Sequence, residues 1–105
     1  MSVILGTDAD FQQTLNENNH VIVKYFADWC GSCKLISPKF KRLSNDERFT
    51  EIAFVEINAE ENEVARKAAN VDNLPYFATF KNGTLINGSA TSKEEVIVTM
   101  LGELA

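Results

Sequence analysis

The most reactive side chains in this 105-residue sequence are two cysteines, Cys30 and Cys33, with two residues between them. A thiolate is the nucleophile of thiol–disulfide exchange, and two thiols at this spacing can form a disulfide with each other. Cys30 would attack a substrate disulfide, and Cys33 would then attack the mixed disulfide and release the reduced substrate. The spacing therefore suits a reversible two-electron couple.

A helix that begins at the pair would make Cys30 more reactive. Ile36, Phe40 and Leu43 follow the cysteines at helical spacing, which predicts such a helix. The partial positive charge and unpaired amides of a helix N-terminus stabilise a thiolate. An ordinary thiol, with a pKa of about 8.5, is only slightly ionised at neutral pH, whereas a pKa of about 7 makes it roughly half ionised.

A zinc half-site is the alternative interpretation of two cysteines at this spacing. Four-coordinate zinc needs further ligands, and the sequence has no other cysteine and only His20, which precedes the strand leading to the pair. The sequence also has no glycine pattern for binding a nucleotide. We therefore expect neither a metal nor a cofactor, and the redox group would be the Cys30–Cys33 disulfide.

The residues around the cysteines predict alternating strands and helices. Runs of β-branched and aromatic residues predict strands at 3–5, 21–26 and 52–57. A helix opened by a capping box of Thr7 and Asp10 lies between the first two, and the cysteine helix lies between the second and third. A succession of strand, helix and strand implies parallel pairing.

The second half of the sequence predicts a helix, a hairpin and a closing helix. Val64, Ala65 and Ala68 would line the buried face of the first helix. Asn82-Gly83 between two apolar runs is a strong hairpin signal, and a hairpin makes the sheet mixed. The order of elements predicts an α/β fold in which helices cover both faces of a mixed central sheet.

Composition limits the class of protein. With 45% hydrophobic and 24% charged residues, the chain suits one compact domain over residues 1–105. A net charge of -5 with scattered basic residues argues against nucleic acid and anionic membranes as partners. The N-terminus lacks the features of a signal peptide, and no apolar run approaches the roughly 20 residues of a membrane span. We therefore expect a cytoplasmic protein whose cysteines are a working pair.

Several motifs together resemble the thioredoxin family. They are the segment 27–34 around the cysteines, followed by Pro38, by Leu74-Pro75 and by the segment 80–83. They occur in order along nearly the whole chain, and the cysteine motif with its flanking tryptophan is highly specific. The resemblance implies the thioredoxin fold and the activity of a protein-disulfide reductase.

The resemblance also implies roles and partners. Cys30 would be the attacking nucleophile and Cys33 the resolving thiol. Proteins that contain disulfides would be the substrates, and an NADPH-dependent thioredoxin reductase would supply the electrons. We expect a monomer.

A docking surface for substrate follows from the same resemblance. Trp29 and Gly31 would line it, Pro75 in the cis form would face the cysteines, and the backbone of Leu74 would pair with an extended substrate. On general grounds, Pro75 could instead simply begin a strand. Trp29 could instead be an ordinary packed aromatic residue.

The sequence departs from the family pattern near this surface. Ser32 stands where most members have proline, a residue that tunes the reduction potential, and its hydroxyl would either bind a thiolate or be solvated. Gly88 or Ser89 would take the place of a substrate-facing glycine. Asn73 stands where a glycine often precedes the position of Leu74, which predicts a narrower or more polar groove.

Lys24 and Glu56 also differ from the family pattern, and this difference affects the charges near the cysteines. Family members usually carry a buried aspartate at the first position and a lysine at the second, so the charges are exchanged here. We hypothesise an ion pair beneath the cysteines, in which the ammonium favours the Cys33 thiolate and the carboxylate relays its proton. Because an unpaired buried charge is costly, both side chains should be buried or neither. Alternatively, each points to solvent at a strand edge.

Three functions are compatible with these observations. A general disulfide reductase agrees best with the resemblance. An isomerase or oxidant of the same fold would have a higher reduction potential, which the missing proline permits. A non-catalytic binding module would hold a partner on the surface of Trp29 and Leu74, and its thiols would be incidental.

Overall fold

The computed structural model describes residues 3–104, so the outer ends of the predicted domain, residues 1, 2 and 105, lie outside the described residues. None of the helices in the described range is long and apolar enough to cross a membrane. The strands are β1 (Ile4–Leu5), β2 (His20–Phe26), β3 (Ala53–Asn58), β4 (Tyr76–Lys81) and β5 (Thr84–Ala90). The helices are α1 (Asp8–Glu17), α2 (Gly31–Ser44), α3 (Glu63–Ala68) and α4 (Glu94–Leu104), and a short 3-10 helix covers Glu47–Phe49.

The five strands form one mixed sheet in the order β1-β3-β2-β4-β5. Both β1 and β2 run parallel to β3, whereas β4 runs antiparallel to β2 and β5. The predicted mixed sheet is confirmed, and β2, the strand that leads to the cysteines, is its middle strand. In this register Lys24 lies opposite Glu56 on one side and Phe77 on the other.

Alternate residues of β2 contact different helix layers, because successive side chains of a strand point to opposite faces. Tyr25 belongs to a buried cluster that includes residues of α1 and α3. Ile22 belongs to a second cluster that includes residues of α2 and α4. Lys24 has the same parity as Ile22, so it points toward α2, the helix that carries the cysteines.

Local signals placed most elements correctly. The Thr7 N–H donates a hydrogen bond of 2.9 Å to Asp10 at the start of α1, as the capping box predicts. Asn82 and Gly83 have positive φ angles of 52° and 80°, the conformation of a type I′ hairpin turn between β4 and β5.

The predicted buried face of α3 is confirmed for Ala65 and wrong for Val64 and Ala68. Ala65 and Ala69 are buried, whereas Val64 and Ala68 are exposed. The backbone N–H groups of Val64 and Ala65 donate to the Asp8 carboxylate over 3.2 and 2.8 Å. This contact with α1 sets the rotation of the short helix α3, and apolar spacing within a six-residue helix could not reveal it.

A close approach on β5 generates a stability prediction. A methyl group on Gly88 would lie 2.3 Å from the Tyr76 hydroxyl, whereas one on Gly102 of α4 would meet nothing within 4 Å. Gly88→Ala should therefore displace the tyrosine ring and lower the free energy of unfolding by roughly 1–3 kcal/mol. Gly102→Ala is the matched control and should raise the free energy of unfolding by roughly 0.5–1 kcal/mol, since alanine favours the helical conformation. Urea unfolding of the oxidised protein measures both, and equal stability of the two variants would contradict the packing argument.

Candidate active site

The two cysteines lie where β2 ends and α2 begins. They form a disulfide with a Cα–Cα distance of 5.3 Å. Cys30 is the N-cap residue of α2, and its Sγ accepts a hydrogen bond of 3.1 Å from the Cys33 N–H. The predicted position of Cys30 at a helix N-terminus is confirmed. The same amide and the helix dipole stabilise a thiolate on Cys30 once the disulfide is reduced.

The loop before β4 borders the cysteines. The Leu74–Pro75 peptide bond is cis, as the family resemblance implied. Leu74 packs against the buried cluster of Ala27, Cys30 and Cys33. Leu74 and Pro75 also line a surface groove together with Ser32, Asn73, Ala90, Thr91 and Ser92. The groove thus connects the N-terminal turn of α2 with the loop that follows β5.

Gly88, one of the two residues predicted to face the substrate, does not line the groove, and the prediction for Ser89 stays a prediction. Gly88 pairs with Ala78 in the sheet and lies under the Tyr76 ring, away from the groove. The strand continues to Ala90, and the following residue, Thr91, donates its N–H to the Pro75 carbonyl over 3.2 Å. Because β5 is longer than its apolar run indicates, residues 90–92 reach the groove instead.

Asn73 makes the groove more polar, as the sequence predicted. The Leu74 N–H donates a hydrogen bond of 2.9 Å to the Asn73 Oδ1 atom. The resemblance assigns the Leu74 backbone to pairing with substrate. In this structure the neighbouring side chain occupies its donor.

Trp29 lies on the surface beside the pair, so the packed-aromatic alternative is wrong. The residue is 69% exposed, and its indole N–H donates a hydrogen bond of 2.8 Å to the Glu60 carboxylate. Gly31 is also exposed, and a Cβ atom there would contact nothing within 4 Å. Sequence reasoning missed Glu60. The available signal was the position of Glu60 just after β3. Because β2 and β3 are parallel neighbours, their carboxyl ends lie at the same end of the sheet, so residues that follow β3 lie near residues that follow β2.

Lys24 and Glu56 form the hypothesised ion pair, with 3.4 Å between Nζ and Oε2. The Lys24 side chain is 3% exposed and that of Glu56 is 35% exposed. The expectation that both are buried or neither is buried is therefore wrong. A carboxylate with partial access to water can neutralise a buried ammonium without full desolvation of its own charge.

Ser37 connects this pair to the cysteines, and sequence reasoning missed it. Lys24 Nζ donates a hydrogen bond to Ser37 Oγ, and the Ser37 hydroxyl donates to the Cys33 carbonyl over 2.9 Å. The available signal was helical spacing, because Ser37 lies one turn after Cys33 in α2.

The surroundings of the Lys24 ammonium act on its charge in opposite directions. Burial lowers the pKa of Lys24, and the attraction of Glu56 opposes this shift. The rings of Phe26 and Phe40, with centroids 5.5 and 5.8 Å from Nζ, also favour the cation. Within residues 3–104, the structure contains no cluster of three or more histidine, cysteine, aspartate or glutamate side chains that could hold a metal ion.

Cys30 and Cys33 form a disulfide at the N-terminus of a helix, beside an open groove. This arrangement gives the chain the chemistry of a thiol–disulfide oxidoreductase. Its redox group is part of the polypeptide. The sequence model described as Thioredoxin matches residues 2–103, and the chain belongs to the thioredoxin family.

Individual relatives agree with this assignment. Thioredoxin 1 of Plasmodium falciparum is 31% identical over 87 residues, which are 83% of this chain and 82% of that protein. Protein disulfide-isomerase 1 of Caenorhabditis elegans is 31% identical over 84 residues, which are 78% of this chain but only 17% of that protein. The solved Plasmodium falciparum thioredoxin superposes with a TM-score of 0.87 at 25% identity, covering 100% of both chains. The fold is the thioredoxin fold, and the chain is similar to protein-disulfide reductases.

The unequal burial of the ion pair predicts unequal effects on stability. Lys24→Met removes a charge whose desolvation is costly, so the free energy of unfolding should stay unchanged or rise by up to about 2 kcal/mol. Glu56→Gln leaves the ammonium buried without its partner and should lower the free energy of unfolding by roughly 1–2 kcal/mol. Denaturant unfolding of the oxidised proteins at neutral pH measures both, and a larger loss for Lys24→Met would contradict the argument.

The pH dependence gives a second readout of the same pair. The pKa of Lys24 is lowered in the folded state, so between that value and about 10.4 the unfolded state binds more protons. The stability of the parent protein should therefore rise with pH relative to Lys24→Met in this window. A stability difference that does not change with pH would show that Lys24 titrates normally.

Proposed function

We propose that this protein reduces disulfides of other proteins in the cytoplasm, with Cys30 as the nucleophile and Cys33 as the resolving thiol. The observation that carries the proposal is the 3.1 Å hydrogen bond from the Cys33 N–H to Cys30 Sγ at the N-cap of α2. The amide points at the sulfur that must bear negative charge before attack. Cysteine pairs that work as reductants suit a compartment that keeps thiols reduced.

The reaction proceeds by two exchanges. The Cys30 thiolate attacks one sulfur of the substrate disulfide, so a Cys30–substrate bond forms and the other substrate sulfur leaves as a thiolate that takes a proton from solvent. Cys33 then loses its proton and attacks Cys30 Sγ, which breaks the mixed disulfide and releases the second substrate thiolate. The substrate gains two electrons and two protons, and the protein becomes oxidised.

The groove supplies the place where a substrate segment lies during these steps. Its walls are the N-terminal turn of α2, where Gly31 and Ser32 are exposed, and the Leu74–Pro75 loop. Trp29, which directly precedes Cys30, adds an exposed aromatic side chain to the surface next to the cysteines. An extended protein segment that carries a disulfide fits this open shape better than a compact small molecule.

An external electron source returns the pair to the dithiol. We assign this step to an NADPH-dependent thioredoxin reductase, the general partner of the thioredoxin family. A monomer suits this exchange, because the groove must be open to the reductase and to substrates in turn.

An oxidant or isomerase is the second candidate function. Two observations favour it: Ser32 replaces the usual proline between the cysteines, and the buried charge on the α2 side of β2 is the positive charge of Lys24. Both changes affect the relative stability of dithiol and disulfide.

The reduction potential distinguishes these candidates. Equilibration in glutathione buffers, followed through Trp29 fluorescence, should give about -270 mV, the value known for thioredoxin, if the protein is a reductase. A value near about -180 mV would support an isomerase or oxidant. The absence of a reversible couple would leave only a binding module.

Trapping experiments test the two cysteine roles. Cys33→Ser should accumulate covalent mixed disulfides through Cys30, because the second exchange cannot occur. Cys30→Ser is the matched control and should form few adducts, since it lacks the capped nucleophile. Non-reducing gels followed by reduction measure the adducts, and equal trapping by the two variants would reverse or remove the assignment.

Asn73 predicts a specific effect on protein substrates. A substrate strand that pairs with the Leu74 N–H must first displace the Asn73 side chain. Asn73→Ala should therefore lower KM for a protein disulfide roughly two- to tenfold, equivalent to one hydrogen bond of about 0.5–1.5 kcal/mol. The rate with a small disulfide such as oxidised glutathione, which makes no strand pairing, should remain unchanged. A KM that does not change, or rises, would contradict the competition.

A further inference from the structure

We propose that Lys24 and Ser37 are positioning residues that favour the thiolate of Cys33 in the reduced protein, and that Glu56 passes the released proton to solvent. The inference deepens the proposed function, because it rests on Cys33 as the resolving thiol. Ser37 links the ion pair to the cysteine helix, and the two charges act on Cys33 from different environments.

The two charges of the pair occupy different environments. Lys24 is almost completely enclosed beneath α2, whereas about a third of the Glu56 side chain reaches solvent. Water screens the carboxylate more effectively than the ammonium. The net field beneath the cysteine helix is therefore positive, and a positive field favours a thiolate over a neutral thiol.

Ser37 holds this charge against the turn that carries Cys33. Its Oγ atom accepts a hydrogen bond from Lys24 Nζ, and its hydroxyl donates to the Cys33 carbonyl over 2.9 Å. These two bonds leave the hydroxyl with one partner on β2 and one on α2. Without the hydroxyl, the ammonium would lose this link to α2 and keep its ion pair with Glu56.

One cavity brings all four groups together. Its lining includes Lys24, Cys33, Ser37 and Glu56, and it has a volume of about 240 Å³, enough to hold water beside these polar groups. The neighbouring cavity includes Ser37 and Glu56 again. Glu56 thus borders both spaces and offers a route from the enclosed end to the surface.

Other charged groups facing these cavities are exposed. They are Asp28 and Lys34 in the first cavity and Lys41 in the second. Solvent and salt screen exposed charges, and Asp28 opposes Lys34 in sign. The buried ammonium is therefore the dominant charge close to Cys33.

The resolving step needs no group beyond the cysteines, Glu56, Lys24 and water. In the mixed disulfide the Cys33 thiol loses its proton through cavity water to the Glu56 carboxylate, which passes it to bulk solvent. The Cys33 sulfur then bonds to Cys30 Sγ, the Cys30–substrate bond breaks, and its electron pair leaves on the substrate sulfur. Lys24 keeps its proton throughout and stabilises the transient thiolate.

The experiment measures the Cys33 thiol without any substrate. In full-length Cys30→Ser protein, the thiolate absorbance near 240 nm is titrated against pH. Adding Lys24→Met should raise the pKa of Cys33 by about one unit, a tenfold smaller thiolate fraction near neutral pH. Ser37→Ala should shift the pKa in the same direction by a smaller amount, and Ser37→Thr, which keeps the hydroxyl, should restore the parent value. Lys67→Met on the surface of α3 is the control for loss of one charge.

The outcomes separate the proposal from its alternatives. An unchanged or lowered pKa of Cys33 in Lys24→Met would overturn it, as would a Ser37→Thr variant that behaves like Ser37→Ala. If Lys24→Met does not fold, the comparison of Ser37→Ala with Ser37→Thr tests the proposal by itself. Since no substrate is present, failure of the reductase assignment would not affect these values.

The role of Glu56 in proton transfer is tested by measuring the rate of the second exchange. In single-turnover release from a mixed disulfide, Glu56→Gln should slow the second exchange several-fold at neutral pH. An unchanged rate would remove Glu56 from the proton route.

Discussion

The pairing of β2 with β3 on one edge and with β4 on the other places every functional group of this protein. It sets Lys24 opposite Glu56 and directs the lysine toward α2. It also fixes the end of β2, because the Phe26 carbonyl accepts the Ala59 N–H over 2.8 Å. From that point the chain turns directly into the helix that Cys30 caps. A shift of one residue in this register would turn Lys24 to the opposite face of the sheet and separate it from the redox helix.

A buried lysine next to the redox pair costs stability, and the structure limits that cost in three ways. Glu56 neutralises the charge from the solvent side, Ser37 accepts one of its hydrogen bonds, and two aromatic rings lie within cation–π distance. Burial nevertheless remains the largest influence on the lysine and lowers its pKa. An apolar residue at position 24 would fold at least as well, so the charge is more consistent with redox chemistry than with stability.

The groove is built by segments far apart in the sequence. The Leu74–Pro75 loop, the end of β5 and the first turn of α2 meet only because β4 lies beside β2 and β5 lies beside β4. The Thr91–Pro75 hydrogen bond ties two of these segments together. Substrate access and nucleophile activation thus depend on the same strand order, although different residues provide them.

The sequence by itself determined the elements and the chemistry, because these depend on neighbours along the chain. Apolar periodicity placed the strands and helices, and cysteine spacing identified the redox pair. The tertiary structure alone decided that Val64 is exposed, that Gly88 lies under a tyrosine ring, and that Glu56 keeps contact with water. It also brought Ser37 to Lys24 and Glu60 to the tryptophan. Each of these outcomes depends on helix rotation, strand length or solvent access, which contacts between distant segments determine and local sequence does not encode.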